Sequence, residues 1–222
     1  MDWQLAWRVA VSLAAAYLLG GIPWALVIGR SFYHVDVREH GSGNLGATNV
    51  FRTLGAKAAA VTFVLDVAKG ALAVGLAAWL VPGFAFGTPA HQWAMILTTL
   101  VAMLGHAYSP YAGFRGGKGV ATAAGALLVI TPMALVFLLG TFVIVLVASR
   151  TVSLGSVVVA VEYPLLCLLL YGGEIPIVIF SVVAAALVLW RHRTNVVRIW
   201  RGEEPRISLS ARGSAAQRKG DS

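Results

Sequence analysis

Long apolar runs, each close to the thickness of a bilayer, alternate along this chain with short polar segments. Five of them, at about 4–29, 58–81, 93–113, 152–171 and 175–190, approach the roughly 20 mainly apolar residues that a helix needs to cross hydrocarbon. The last is short and draws on its flanks. A sixth run, 120–148, carries Thr131-Pro132 near its middle. Its roughly 28 residues are long for one crossing and well short of the about 40 that two would need. Proline removes a backbone donor, so a break is predicted there. The first run has no basic n-region and no A-x-A site before a polar mature chain, and it reads as a retained helix, not a cleaved leader.

Composition agrees with the pattern. The 222 residues are 59% hydrophobic and 12% charged, with a mean hydropathy of +0.81. A soluble domain is about half apolar and about one quarter charged, so a soluble enzyme and a disordered chain are both excluded. One cysteine, Cys167, leaves no internal disulfide and no Cys-based metal site. The net charge of +8 fits membrane topology better than nucleic acid, because basic residues collect on cytoplasmic flanks. Residues 30–57, 114–119 and the segment from 191 onward carry 14 of the 17 Lys and Arg residues. The loop 82–92 has none, and the turn 172–174 has only Glu174. The three basic segments are therefore expected in the cytoplasm.

Parity then requires 120–148 to cross not at all or as two short helices, and the pair fits its length. The expected fold is an all-α integral membrane protein of about seven helices: five full spans plus two short helices in 120–148. Its N-terminus is outside and its C-terminus cytoplasmic. Residues 1–202 form one membrane-embedded domain, and 203–222 read as a polar, disordered tail. Trp3, Trp7, Trp79, Trp93 and Trp190, near span ends, read as interfacial anchors.

Three polar segments beside the spans carry the candidate chemistry, and this topology puts all three on one face. In Glu39–Gly55, Ser42, Asn44, Thr48 and Asn49 are interleaved with glycines, a combination that lets a backbone approach an anion closely. If a helix starts here, Thr48, Asn49 and Arg52 share its first face beside an anion-seeking N-terminus. The bland alternative is a capped turn leading into the next span. In Gly105–Gly125, Arg115 and Lys118 flank Gly116 and Gly117, with Gly119 following, as a second cradle. It is not a Walker A loop, since Gly119 follows the lysine and Ala112 stands at the first glycine position. A positive-inside loop with glycine turns would look similar. In Arg191–Arg206, His192, Asn195 and Arg198 recur every three residues along one helical face. His192 can titrate near neutrality, as base or phosphate donor. A basic helix on anionic headgroups is the alternative there.

Asp66 and Lys69, three apart on the second span, read as an internal ion pair that positions the motif above them. Glu162, beside Pro164, is ambiguous. His34, His40, His91, His106 and His192 lack metal-ligand spacing.

At these residues the chain resembles the bacterial membrane glycerol-3-phosphate acyltransferases that use acyl phosphate, the PlsY family. The strings that carry the resemblance are GSGNLGATN with Arg52, FRGGKGVAT, and HRTN followed by the Gly202–Glu204 GEE, with LDVAKG at 65–70 and Ile22-Pro23 in support. It covers about residues 10–204. It implies transfer of a fatty acyl group from acyl phosphate to the C1 hydroxyl of sn-glycerol 3-phosphate, releasing inorganic phosphate, without metal or other cofactor. Lysophosphatidic acid is the product and phospholipid synthesis the context. By motif, Ser42, Arg52, His192 and Asn195 are the catalytic candidates. Asn44, Thr48, Asn49, Arg115, Gly116, Gly117, Lys118 and Gly119 are the substrate-binding ones. Asp66, Lys69 and Glu204 are structural support. Arg115 stands where the family more often has lysine. The implied setting is the bacterial inner membrane with a cytoplasmic site, the bilayer and the two substrates as partners, and no nucleic acid. The chain would act as a monomer, or with a phosphate acyltransferase that supplies acyl phosphate. From the residues alone, a transporter or channel for a small anionic phosphate remains the alternative.

Overall fold

The computed structural model describes residues 3–81 and 89–207. Among these residues the chain is all-helical, with ten α-helices. They are α1 (Trp3–Gly21), α2 (Trp24–Tyr33), α3 (Ala47–Leu54), α4 (Ala56–Leu80), α5 (Pro89–Ala107), α6 (Val120–Ile130), α7 (Pro132–Ser149), α8 (Val152–Tyr171), α9 (Ile175–Arg191) and α10 (Arg193–Trp200). A 3₁₀ turn, Pro110–Ala112, lies in the connection from α5 to α6. Three helices, α4, α7 and α8, are long and apolar enough to cross a membrane, and there are five crossings if α1+α2 and α9+α10 each count as one bent span.

Several expectations need correction. The break at Pro132 exists, but the two helices around it are unequal. α6 has 11 residues, whereas α7 has 18 and the most apolar window of the three straight candidate spans, so only α6 is short and α7 is long enough to span. Proline at the first helical position ends α6 and costs α7 nothing, since that N–H has no intrahelical acceptor. The first apolar run is two helices meeting at 41° around Ile22-Pro23. The third run stops being helical at Ala107. The three helices beyond the expected seven, α2, α3 and α10, are short, and each belongs to or adjoins a polar segment.

Close helix packing rests on paired small residues. A Cβ on Gly70 would overlap the Thr122 carbonyl, and one on Gly125 the Val67 carbonyl, so α4 and α6 pack backbone to backbone. Gly20 and Gly105 do the same for α1 and α5, against Ala102 and Tyr17. Hydrocarbon gives apolar helices little reason to associate, so close van der Waals approach of this kind holds them together. Larger side chains fill the space between α5, α6, α7, α8 and α9, where Phe180 meets Tyr163 edge to face at 6.1 Å.

The bend at Ile22-Pro23 and the connection after α5 meet at one end of the bundle. Ser109 Oγ donates to the Gly21 carbonyl, and Tyr17 donates to the Tyr108 carbonyl at 2.8 Å. This ties the α1–α2 bend to the glycine-rich connection that follows α5. At the other end Gln92 donates to Glu174, and Arg8 to the Leu80 carbonyl at 3.3 Å. The loop 82–88 and the tail from 208 lie outside the described residues. Residues 203–207, expected to begin the tail, are held to the bundle: the Ile207 N–H donates to the Arg150 carbonyl at 2.8 Å, and Glu204 enters the site below.

Candidate active site

The first polar segment folds as a loop closed by its own hydrogen bonds. Asp36 pairs with Arg38 at 2.6 Å and Arg30 at 2.7 Å. The bonds from Arg38 outweigh partial burial and hold this carboxyl well below the usual carboxylate range. Asn49, 2% exposed on α3, is the centre of the loop. Its Oδ1 accepts from the Ser42 N–H at 2.8 Å, and its Nδ2 donates to the carbonyls of Val37 and His40. Its amide, expected to face substrate, is committed to the loop. That leaves the Ser42 hydroxyl and the Asn44 and Thr48 side chains without a partner among the described residues. Ser42 is exposed, and the other two are half-buried.

The second and third segments meet. Gly117 is pinned on both sides of its peptide: its N–H donates to the His106 carbonyl at 3.0 Å, and its carbonyl accepts from Arg191 at 2.8 Å. The Arg191 guanidinium lies over the Tyr108 ring at 5.3 Å. Gly119 has φ +81°, where a side chain would be strained, and starts α6 directly after Lys118. From this short tether Lys118 Nζ donates to Asn195 Oδ1. Asn195 then donates to Glu204 at 2.6 Å, and Glu204 also accepts from Ser153 and Arg198, each at 2.7 Å. Arg52 joins them through the Pro205 carbonyl at 3.4 Å. Arg115 is exposed, and its side chain makes no hydrogen bond or ion pair among the described residues. Lys118, Asn195, Glu204 and Arg52 are thus brought together, while no hydrogen bond links Ser42, Asn44, Thr48 or Arg115 to them. Ser153 and Arg191 were not singled out from sequence. Arg191 directly precedes His192 in the third motif, a usable signal, whereas Ser153 offered none.

Lys118, Arg52, Arg198 and Arg191 surround a single carboxylate, so the site carries a surplus of cations suited to anions. Burial would raise the Glu204 pKa, but bonds from Arg198, Ser153 and Asn195 keep it below its ordinary value. Burial, with help from the nearby arginines and against Glu204, brings Lys118 down to about 8. His192, 3% exposed at the 64° bend between α9 and α10, is pushed down to about 4, first by burial and then by the Lys118 charge. It is therefore neutral at pH 7. Its Nδ1 sits 2.8 Å from the Val188 carbonyl, which can only accept, so Nδ1 carries the proton and Nε2 keeps a free lone pair.

A cavity of about 120 Å³ with an almost entirely apolar lining runs between α6, α7, α8 and α9. Val120 and Val188 line it, two residues beyond Lys118 and four before His192.

Residues 10–202 match the family described as glycerol-3-phosphate acyltransferase. The chain belongs to that family. It is 40% identical to the glycerol-3-phosphate acyltransferase of Geobacillus kaustophilus over 92% of its own length and 99% of that protein's. It is 44% identical to the enzyme of Listeria monocytogenes serovar 1/2a over 86% and 93% of the two chains. Its fold matches the crystal structure of PlsY (YgiH), an integral membrane glycerol 3-phosphate acyltransferase, in its glycerol 3-phosphate form. That match has a TM-score of 0.81 at 35% identity and covers 90% of this chain and 96% of the other. The lysophosphatidic acid form of the same protein matches at 0.79. This membrane-embedded protein is a glycerol-3-phosphate acyltransferase, which decides between the enzyme and transporter readings of the same cations.

Proposed function

We propose that this acyltransferase takes fatty acyl phosphate as its donor. It transfers the acyl group to the C1 hydroxyl of sn-glycerol 3-phosphate, giving 1-acylglycerol 3-phosphate (lysophosphatidic acid) and inorganic phosphate. The observation that carries this reading is the cation cluster joined to an apolar slot: both substrates are phosphates, and one has a hydrocarbon tail. Arg52 and Lys118 neutralise the phosphates, with backbone from Gly116, Gly117 and Gly119 and donors from Ser42, Asn44 and Thr48. Asn49 shapes the first loop. The acyl chain occupies the slot between α6 and α9. Asp66, Lys69 and Glu204 hold the frame, and Asn195 links Lys118 to Glu204.

No acyl-enzyme is needed. The Ser42 hydroxyl has no hydrogen-bond partner among the described residues, and Cys167 is fully buried in the apolar core. The donor is already activated. The C1 oxygen attacks the acyl carbon, the bond from that carbon to the phosphate oxygen breaks, and phosphate leaves. His192 Nε2 accepts a hydrogen bond from the hydroxyl and orients it. An imidazole pushed down to about 4 is a weaker base than the departing phosphate dianion, so phosphate ends with the proton. Proximity and charge neutralisation supply the catalysis.

By the positive-inside argument, the active site faces the cytoplasm and the N-terminus lies outside. The test is purified protein in detergent with glycerol 3-phosphate and, separately, acyl phosphate, acyl-CoA and acyl carrier protein thioester. Product from acyl phosphate alone is the expected result. Equal turnover with a thioester would overturn the donor assignment.

A further inference from the structure

One buried titratable side chain stands next to the site without entering it. His106 ends α5 and is 6% exposed. Its carbonyl accepts the Gly117 N–H at 3.0 Å. Its ring lies between two groups. Nδ1 faces Asp66 Oδ1 at 3.6 Å. Nε2 lies against Gly117: a Cβ there would overlap Nε2 and stand 2.8 Å from the Leu45 carbonyl of the first loop. Gly116 is equally close to the His106 carbonyl.

The ring is held from below. Lys69 pairs with Asp66 at 2.8 Å and donates to the Ile22 carbonyl, also at 2.8 Å, at the α1–α2 bend. Asp66 and Lys69 are 1% and 3% exposed, so this assembly cannot shift without opening the bundle. Above the ring, Gly117 has no slack, because Arg191 holds its carbonyl. Lys118 is the next residue.

We propose that His106 is a positioning residue for glycerol 3-phosphate binding: its imidazole, steadied by Asp66, is the spacer between that carboxylate and Gly117, and so places Lys118. The proposal rests on the reading of Lys118 as a phosphate ligand. His106 touches no substrate. It acts through Gly117, and tight packing makes such a displacement costly, since a misplacement of about 1 Å can cost about 100-fold in rate.

The test is calorimetric titration of glycerol 3-phosphate into the purified full chain in detergent, which needs no acyl donor. His106→Ala is expected to weaken binding about tenfold, with KM for glycerol 3-phosphate rising more than kcat falls. His106→Gln, whose amide has similar reach, should restore affinity to within about threefold, and Thr99→Val, a buried substitution elsewhere on α5, should leave it unchanged. Wild-type affinity in His106→Ala, with binding lost in Lys118→Ala, overturns the proposal alone. Wild-type affinity in both also overturns the assignment of Lys118. Equal weakening in His106→Ala, His106→Gln and Thr99→Val would mark a general packing effect and likewise overturn it. If His106→Ala does not fold, Asp66→Asn decides: affinity at least threefold weaker than in His106→Gln supports the spacer, and wild-type affinity refutes it.

Discussion

Asp66 and Glu204 are both carboxylates hydrogen-bonded or paired with basic side chains, yet they do different work. Asp66 sits inside the bundle, 1% exposed, with Lys69 at 2.8 Å and His106 at 3.6 Å. Glu204 holds Arg198, Ser153 and Asn195, and Lys118, Arg52 and Arg191 lie near it with charge left over. A balanced buried pair is scaffolding, because nothing remains to attract a ligand. An unbalanced cluster at a helix break keeps charge to offer an anion.

Breaking the unbalanced cluster at its central cation should have the largest effect. Lys118→Ala is expected to abolish turnover or raise KM for glycerol 3-phosphate by more than about 100-fold, while the protein still inserts and folds. Steady-state kinetics beside a detergent melting curve would check this, and wild-type turnover would remove Lys118 from the site. His192→Ala should lower kcat about 100-fold with a smaller change in KM, since it removes a hydroxyl acceptor and not a phosphate ligand.

Breaking the balanced pair should act on stability instead. Asp66→Ala leaves Lys69 buried and unpaired and should cost about 3–5 kcal/mol, with much of the loss recovered in Asp66→Ala/Lys69→Met. Thermal unfolding in detergent reads both, and a single variant as stable as wild type would contradict the scaffolding role.

The smallest expected effect sharpens the comparison by pH. Lys118 loses its proton as pH rises through about 8, so KM for glycerol 3-phosphate should climb above that pH. Glu204→Gln removes a charge that favours the protonated lysine, so the climb should begin at lower pH. A KM flat across pH 8 in the wild type would show that Lys118 does not hold the phosphate.

Much of this was legible in the chain. Run length and apolarity marked the spans, Pro132 the break after Ile130, and the spacing of Thr48, Asn49 and Arg52 a helix that the fold contains as Ala47–Leu54. The i, i+3 relation of Asp66 and Lys69 announced their ion pair. Local steric and periodic rules govern all of these, so local sequence suffices. Other features had no local signal. A lone histidine near the end of an apolar helix has no spacing partner, so His106 drew no reading beyond its lack of metal-ligand spacing. Asn49 and Asn44 sit in the same glycine-rich string, and only the closed loop shows which amide is already used.

By itself, then, the sequence determined a membrane-embedded helical protein, the motifs it shares with a family and the residue types in them. The tertiary structure decided which of them meet. Lys118, Asn195, Glu204 and Arg52 come from separate segments, and Lys118 and Asn195, which hydrogen-bond, are 77 positions apart. Their convergence depends on how α4 packs on α6 and α1 on α5, through glycines whose value lies in what a Cβ would have struck. The charge state of His192 was decided in the same way. A histidine in sequence titrates near neutrality, but burial beside a lysine makes this one a neutral acceptor.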